Sequence, residues 1–168
     1  MNRLRSWLNI YDDETGLFFW TLILRLLVVG GFIVLNNYAD TAFLARYDVQ
    51  KLPYIMFINA VLAMGVVSFL SGFMIRMTGA NLLTYIFIIC AAAIGIIRIL
   101  IPMGFELIYP ILYVLKSQFE AVISLLYLNL TNDLYNVRQS KRLFPLISAG
   151  AIVGQIVLSF GTPFMAKT

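Results

Sequence analysis

Seven polar side chains recur at intervals of three or four residues in an otherwise apolar stretch of the sequence. On a helical wheel with about 100° per residue, all seven fall within roughly 80° of one another. Lys116 and Glu120 are one turn apart on this face, so their side chains can pair with each other. The seven residues are Tyr109, Tyr113, Lys116, Glu120, Ser124, Tyr127 and Thr131.

Two interpretations of this polar face are open. Lys116 and Glu120 either neutralise each other inside a helix bundle or face a solvated substrate path. Intramembrane charge is expensive and usually functional, which favours the path. An earlier apolar stretch repeats the pattern more weakly with Arg25 and Asn36. Arg25 either lines the path, extends to the membrane surface or pairs with a neighbour such as Glu120. The predicted substrate path consists of Arg25, Asn36, Tyr113, Lys116, Glu120, Ser124 and Tyr127.

The composition indicates that these residues belong to a membrane protein. Of 168 residues, 61% are hydrophobic and 12% are charged, and the mean hydropathy is +0.90. Average soluble domains are roughly half apolar and a quarter charged, and a small soluble domain cannot bury such an excess because most of it is surface. A soluble enzyme, a disordered tail and a nucleic-acid-binding domain are therefore disfavoured.

The sequence offers little catalytic or metal-binding chemistry. It contains no histidine and a single cysteine, Cys90, which nearly excludes His/Cys metal sites, His-dependent triads and a disulfide framework. Phosphate-loop, nucleophile-elbow, zinc-protease and dinucleotide motifs are absent from the sequence. We therefore predict no enzyme activity, no catalytic residue, no metal and no cofactor.

Five stretches are long enough to cross roughly 30 Å of hydrocarbon as helices. Lipid does not tolerate unpaired backbone groups, and the alternation typical of barrel strands is absent, so the spans are helical. The predicted fold is all-α, a polytopic transmembrane helical bundle over residues 16–168. Its spans are expected near residues 17–38, 53–75, 81–101, 106–131 and 143–166.

The ends of the spans predict the topology. Residues 1–15 are expected to form a short interfacial lead-in with Trp7 at the headgroups, and the acidic residues 12–14 argue against a signal peptide. A cytoplasmic N-terminus puts six basic residues on the inner side and three on the outer side. The positive-inside rule therefore predicts a cytoplasmic N-terminus.

Two further groups are predicted to make contacts. A cytoplasmic basic cluster before the fifth span binds either nucleotide phosphates or anionic lipid; its members are Arg138, Lys141 and Arg142. In the fifth span, three glycines lie within roughly 40° on the wheel and form a Gly-x-x-x-Gly face that another backbone can approach. These helix-packing residues are Gly150, Gly154 and Gly161.

The segment at residues 132–150 resembles a known family. Its run KRLFPL at residues 141–146, followed by Gly150, is similar to the "AKRxFPL…G" entry to the fifth helix in the ATP/ADP exchange transporters of plastids and obligate intracellular bacteria. Those proteins belong to the wider major facilitator architecture. The resemblance is closer to their facilitator-like relatives, which are often fused to HEAT repeats or a cyclic-nucleotide-binding domain. Residues 8–14 and 39–46 are also similar to that second group.

The chain departs from the nucleotide exchangers where the exchangers bind phosphate. Their Arg-Asp-x-Lys-Asp-Thr pattern at the end of the first helix reads NNYADT at residues 36–41, so both basic residues are missing. Lys116 stands where their fourth helix has an acidic residue, and Glu120 follows one turn later. Because a phosphate site needs its cations, the resemblance supports the fold more than ATP/ADP exchange.

The resemblance implies two six-helix lobes, with the first and fourth helices lining a path through a bacterial inner membrane. Five spans are one short of a lobe, so we expect a truncated N-terminal portion of a longer protein, and the alternative is a naturally short relative. The first hypothesis is a transporter that works by alternating access on a nucleotide or another small anionic metabolite. The alternative is a non-transporting membrane module that anchors or regulates attached cytoplasmic domains. The expected partners are membrane lipid and the missing helices or second lobe, and no nucleic acid.

Overall fold

The computed structural model describes Tyr11 and residues 14–105 and 107–165, with the backbone alone at residues 157 and 161–165. All regular elements in these ranges are helical, and five helices are long and apolar enough to cross a membrane. The predicted all-α fold with five spans is therefore confirmed, and the chain is an integral membrane protein. The helices are α1 Thr15–Leu44, α2 Leu52–Met74, α3 Gly79–Leu100, α4 Ile108–Leu134 and α5 Val137–Met165, with 3-10 turns at Val49–Lys51 and Ile101–Met103.

Two helix boundaries differ from the prediction in ways that matter for function. Helix α1 continues past the expected end at residue 38 and stops at Leu44. Most of the predicted interfacial lead-in, including Trp7, lies outside the described residues. Because α1 continues to Leu44, Asp40 belongs to this helix. The predicted end at residue 38 had placed Asp40 in the connection after the helix.

Helix α5 begins at Val137, well before the predicted start at residue 143. The Gln139 side-chain oxygen accepts a 2.9 Å hydrogen bond from the Asn136 backbone N–H, which caps the new start. Pro145 consequently lies inside the helix. Proline has no N–H, so the carbonyl of Lys141 loses its usual helical donor.

The chain divides into two compact units, and each is described by itself. The terminal unit comprises Met1–Val34 and Thr131–Thr168, and the central unit comprises Leu35–Leu130. Helices α1 and α4 contribute residues to both units.

Helices α1 and α5 pack closely in the terminal unit. Gly150 lies against Leu22, and four residues further along both helices Gly154 lies against Leu26. Because the contacts advance together, the two helices run parallel. A Cβ atom at either glycine would overlap the leucine side chain, so the missing side chain permits this approach. Gly161, the third predicted packing residue, lies where only the backbone is described.

The core of the central unit is formed by the end of α1, the end of α3 and the start of α4, through Ala39, Ile97, Ile108 and Leu112. In contrast, Leu70 is the buried residue of α2, and most of its other large apolar side chains are exposed. Exposed apolar surface on this scale is suited to lipid. Between helices in lipid, close packing and hydrogen bonds replace the hydrophobic driving force, so the polar contacts below position the helices.

Candidate functional site

Four residue pairs connect the end of α1, and the turn that follows it, to the first half of α4 within the central unit. Partner numbers on α4 fall as those on α1 rise, so the two helices are antiparallel here. Intervals of three or four residues keep the contacts on one face of each chain segment. We call these eight residues the α1–α4 polar row: Asn36 with Glu120, Asp40 with Lys116, Phe43 with Tyr113, and Arg46 with Tyr109.

Lys116 is the buried cation of the row. Its residue is 6% exposed, its ammonium forms an ion pair with Asp40, and the nitrogen lies 4.4 Å from the centre of the Tyr113 ring. The Asp40 side chain is 46% exposed. A buried charge is tolerated when it is paired, and the ring face adds cation–π attraction. The lysine is thus held inside the protein while its counter-charge reaches the surface.

The predicted pairing of Lys116 with Glu120 is wrong. Lys116 pairs with Asp40, and Glu120 accepts a hydrogen bond from Asn36. The reason is the length of α1, because the helix runs to Leu44 and carries Asp40 alongside α4. Asp40 follows Asn36 by one helical turn, and this spacing is the signal in the sequence that could have identified it.

Glu120 is the exposed carboxylate of the row. Its Oε2 accepts a 2.9 Å hydrogen bond from Asn36 Nδ2, and its residue is exposed although it lies at the middle of α4. At about 1.5 Å per residue, Glu120 is roughly 18 Å from the start of that helix. Lipid supplies no hydrogen bonds, so an exposed carboxylate at this depth requires water or protein beside it.

The remaining predicted path residues are distributed over both units. Tyr113 is half-buried, and its ring centre lies 5.0 Å from that of Phe43. Ser124 is half-buried and Tyr127 is buried, one and two turns beyond Glu120 on α4. Arg25 is half-buried on the part of α1 that belongs to the terminal unit.

A second buried polar contact ties α4 to α2. Gln118 is 7% exposed, and its Nε2 donates to the backbone oxygen of Asn59 at 3.0 Å and to the Asn59 side-chain oxygen. The Gln118 Oε1 is buried without a partner among the described residues. Gln118 lies outside the polar face of α4, so the helical wheel did not select it. In the sequence, the feature that could have identified this contact is the amide of Gln118 on the apolar side of α4, together with the single asparagine of α2, Asn59.

In the terminal unit, a helix-end cluster joins the start of α1 to the start of α5. The buried Glu14 carboxylate accepts a 2.9 Å hydrogen bond from Gln139 Nε2 and forms an ion pair with Arg142. The Arg142 guanidinium carbon lies 4.4 Å from the centre of the Tyr11 ring. Glu14 was predicted only as part of the lead-in, because nothing in the local sequence links it to a helix more than a hundred residues away.

The predicted basic cluster is divided by this arrangement. Arg142 is held by Glu14, whereas Arg138 and Lys141 are exposed on the first two turns of α5. A cleft of about 460 Å³ opens between the helix starts, and its lining includes Glu14, Arg138 and Arg142. The cluster thus combines one closed ion pair with exposed cations at an open cleft.

A hydroxyl pair lies in the same unit. The hydroxyls of Thr21 and Tyr135 share a 2.7 Å hydrogen bond, and the Phe144 ring packs edge-on against Tyr135. Burial raises the pKa of Tyr135, the Thr21 hydrogen bond lowers it, and the charge of Glu14 raises it further, with a net upward shift. Tyr135 therefore stays protonated beyond the ordinary range of a tyrosine.

Comparisons with known proteins do not assign the chain to a family. No family model matches it, and no curated protein or solved structure is similar to it. Among the described residues, no group of three metal-ligating side chains occurs. The function must therefore be argued from the site itself.

Proposed function

We propose that this protein is part of a membrane transporter that works by alternating access, with the α1–α4 polar row lining the substrate path. The observation that carries the proposal is Glu120, an exposed carboxylate at the middle of an apolar helix. Such residues usually mark substrate or ion pathways, because their cost in lipid is otherwise uncompensated. The resemblance to facilitator-like proteins supports the same function.

The charges of the row bear on the class of substrate. The resemblance implies an anion, but Lys116 is buried and already paired with Asp40. Glu120 therefore dominates the exposed intramembrane part of the row. We propose that this part contacts a positively charged or uncharged group of the substrate, since an anion would face a carboxylate without an unpaired cation beside it.

The test is uptake by proteoliposomes that contain the complete transporter of which this chain is a part, after a thermal-shift screen with nucleotides and organic cations has supplied a labelled ligand. Glu120→Gln keeps the shape of the side chain and removes its charge, and we expect it to abolish uptake. Asp133→Asn, at an exposed carboxylate near the end of the same helix, is the matched control and should retain uptake. Unchanged uptake by Glu120→Gln removes Glu120 from the mechanism.

The alternative function is a non-transporting membrane module that anchors or regulates attached domains. One observation favours it: Lys116, Asp40, Asn36 and Glu120 all find partners within the row, as expected of a structural contact. In that case no ligand should raise the melting temperature in a way that depends on Glu120. The Glu120→Gln variant should then be less stable than the wild type and show no other change.

We further propose a bacterial inner-membrane location with a cytoplasmic N-terminus, on the basis of the six-to-three distribution of basic residues. Reporter fusions distinguish the two orientations. Alkaline phosphatase fused after residue 48 should be active, and the same enzyme fused after residue 77 should be inactive. The reverse pattern would establish the opposite orientation.

A further inference from the structure

The cleft at the starts of α1 and α5 has the composition of an anion site. Arg138 and Arg142 contribute to its lining, and Lys141 is exposed on the same helix within the next turn. The one carboxylate in the described lining, Glu14, is already paired with Arg142. Two cations, Arg138 and Lys141, thus have no carboxylate partner within the described part of the chain.

A buried donor beside the cleft supports this assignment. The Arg142 Nε atom is buried and has no hydrogen-bond partner among the described residues. Buried donors are almost always satisfied by protein, water or a ligand, because an unsatisfied one costs about 1–3 kcal/mol. The guanidinium is also held in position by Glu14 on one edge and the Tyr11 ring on its face.

Helix length places the cleft at the membrane surface. Helices α1 and α5 have 30 and 29 residues, so each is about 44 Å long, against about 30 Å of hydrocarbon. The excess length, together with the charges of Glu14, Arg138 and Arg142 at these helix starts, places their first turns in the headgroup layer. Val137, beside Arg138, is 74% exposed, and Tyr11 is 58% exposed at the other side of the cleft. Apolar and aromatic side chains next to cations are typical of this layer.

We propose that this cleft binds the phosphate group of an acidic phospholipid, with Arg138 and Lys141 supplying the charge. A soluble nucleotide offers the same phosphate chemistry. The lipid fits better because its phosphate lies at the depth of the helix starts and its acyl chains continue along the exposed apolar surface. Bound there, the lipid would stabilise the contact between α1 and α5.

The proposal is tested by native mass spectrometry of the purified protein with phosphatidylglycerol and phosphatidylcholine. The wild type should retain phosphatidylglycerol in preference to phosphatidylcholine. Arg138→Gln combined with Lys141→Gln should reduce this preference by about fivefold for each cation removed. Arg98→Gln, at an exposed arginine near the end of α3, is the matched control and should leave the preference unchanged.

A further variant separates charge from folding. Arg138→Lys combined with Lys141→Arg keeps both charges and should retain the preference. An unchanged preference in the glutamine double variant, or an equal loss in Arg98→Gln, overturns the proposal.

A nucleotide titration distinguishes the two sources of phosphate. Calorimetric titration of the delipidated protein with ATP should give no binding that depends on Arg138 and Lys141. Saturable ATP binding that the glutamine double variant abolishes would assign the cleft to a nucleotide and refute the lipid site. The outcome is independent of transport, because both assays measure equilibrium binding.

Discussion

The helix-end cluster and the α1–α4 polar row use the same chemistry in opposite arrangements. Each connects α1 to another helix through one ion pair and one amide–carboxylate hydrogen bond. In the helix-end cluster a single buried carboxylate, Glu14, binds both the Gln139 amide and the Arg142 guanidinium. In the polar row the cation, Lys116, is buried, and the carboxylates of Asp40 and Glu120 reach the surface.

The difference teaches which contact holds the protein together and which one remains open to a solute. A buried carboxylate with two donors is fully used by its own protein. An exposed carboxylate at the middle of a membrane helix retains capacity for another group. We therefore expect the helix-end cluster to affect stability most, and the polar row to affect stability asymmetrically.

Glu14→Gln should have the largest effect on stability. Removal of its charge leaves Arg142 mostly buried without its counter-ion, which should lower the free energy of unfolding by about 3 kcal/mol. SDS titration followed by circular dichroism measures the change. Asp48→Asn, at an exposed carboxylate between α1 and α2, is the control and should change stability by less than about 0.5 kcal/mol.

The double variant Glu14→Gln with Arg142→Met completes this test. Replacement of both partners removes the uncompensated charge, so part of the lost stability should return. If the double variant is as unstable as the sum of the two single variants, Glu14 does not act through Arg142.

The two partners in the polar row should differ in their effects. Asp40→Asn leaves the buried Lys116 ammonium without a counter-charge and should cost about 2.5 kcal/mol. Lys116→Met removes the buried charge and leaves an aspartate that is already half-exposed, so it should change stability by less than about 1 kcal/mol. The same SDS titration measures both. Equal losses of stability in the two variants would contradict the expectation that the buried Lys116 and the half-exposed Asp40 contribute differently.

Glycine substitutions sharpen the comparison at the level of packing. Gly154→Ala places a methyl group on the Leu26 side chain and should cost about 1 kcal/mol, because the leucine can partly move away. Gly95→Ala in α3 meets no atom within 4 Å and should be neutral or stabilise the helix by up to about 1 kcal/mol. Thermal melting in detergent distinguishes the two. A loss at Gly95 as large as that at Gly154 would contradict the assigned packing face.

The smallest expected effect is the pH dependence due to Tyr135. Its pKa is raised in the folded protein, mainly by burial, so its contribution to stability is complete below the ordinary tyrosine pKa of about 10. Above that pH the unfolded chain loses its proton first, so stability falls as the pH rises. In Tyr135→Phe this part of the alkaline decline should be absent. An identical alkaline profile in the variant would remove Tyr135 as its cause.

Much of the architecture follows from local pattern in the sequence. Long apolar stretches must become helices in lipid, because each backbone group needs a partner within its own segment. This rule predicted all five spans. The helical period likewise placed Lys116 and Glu120 on one face of α4, because residues one turn apart share a face whatever the surroundings.

The partners of those residues depended on tertiary structure. Asp40 meets Lys116 because α1 continues to Leu44 and runs antiparallel to α4. Glu14 meets Arg142 because α1 and α5 run parallel and pack against each other. Helix ends are set by weak, local preferences that neighbouring helices override. The sequence alone therefore determined which side chains are costly in a membrane, and the packing of the helices decided which charge is buried, which is exposed and which other residue compensates it.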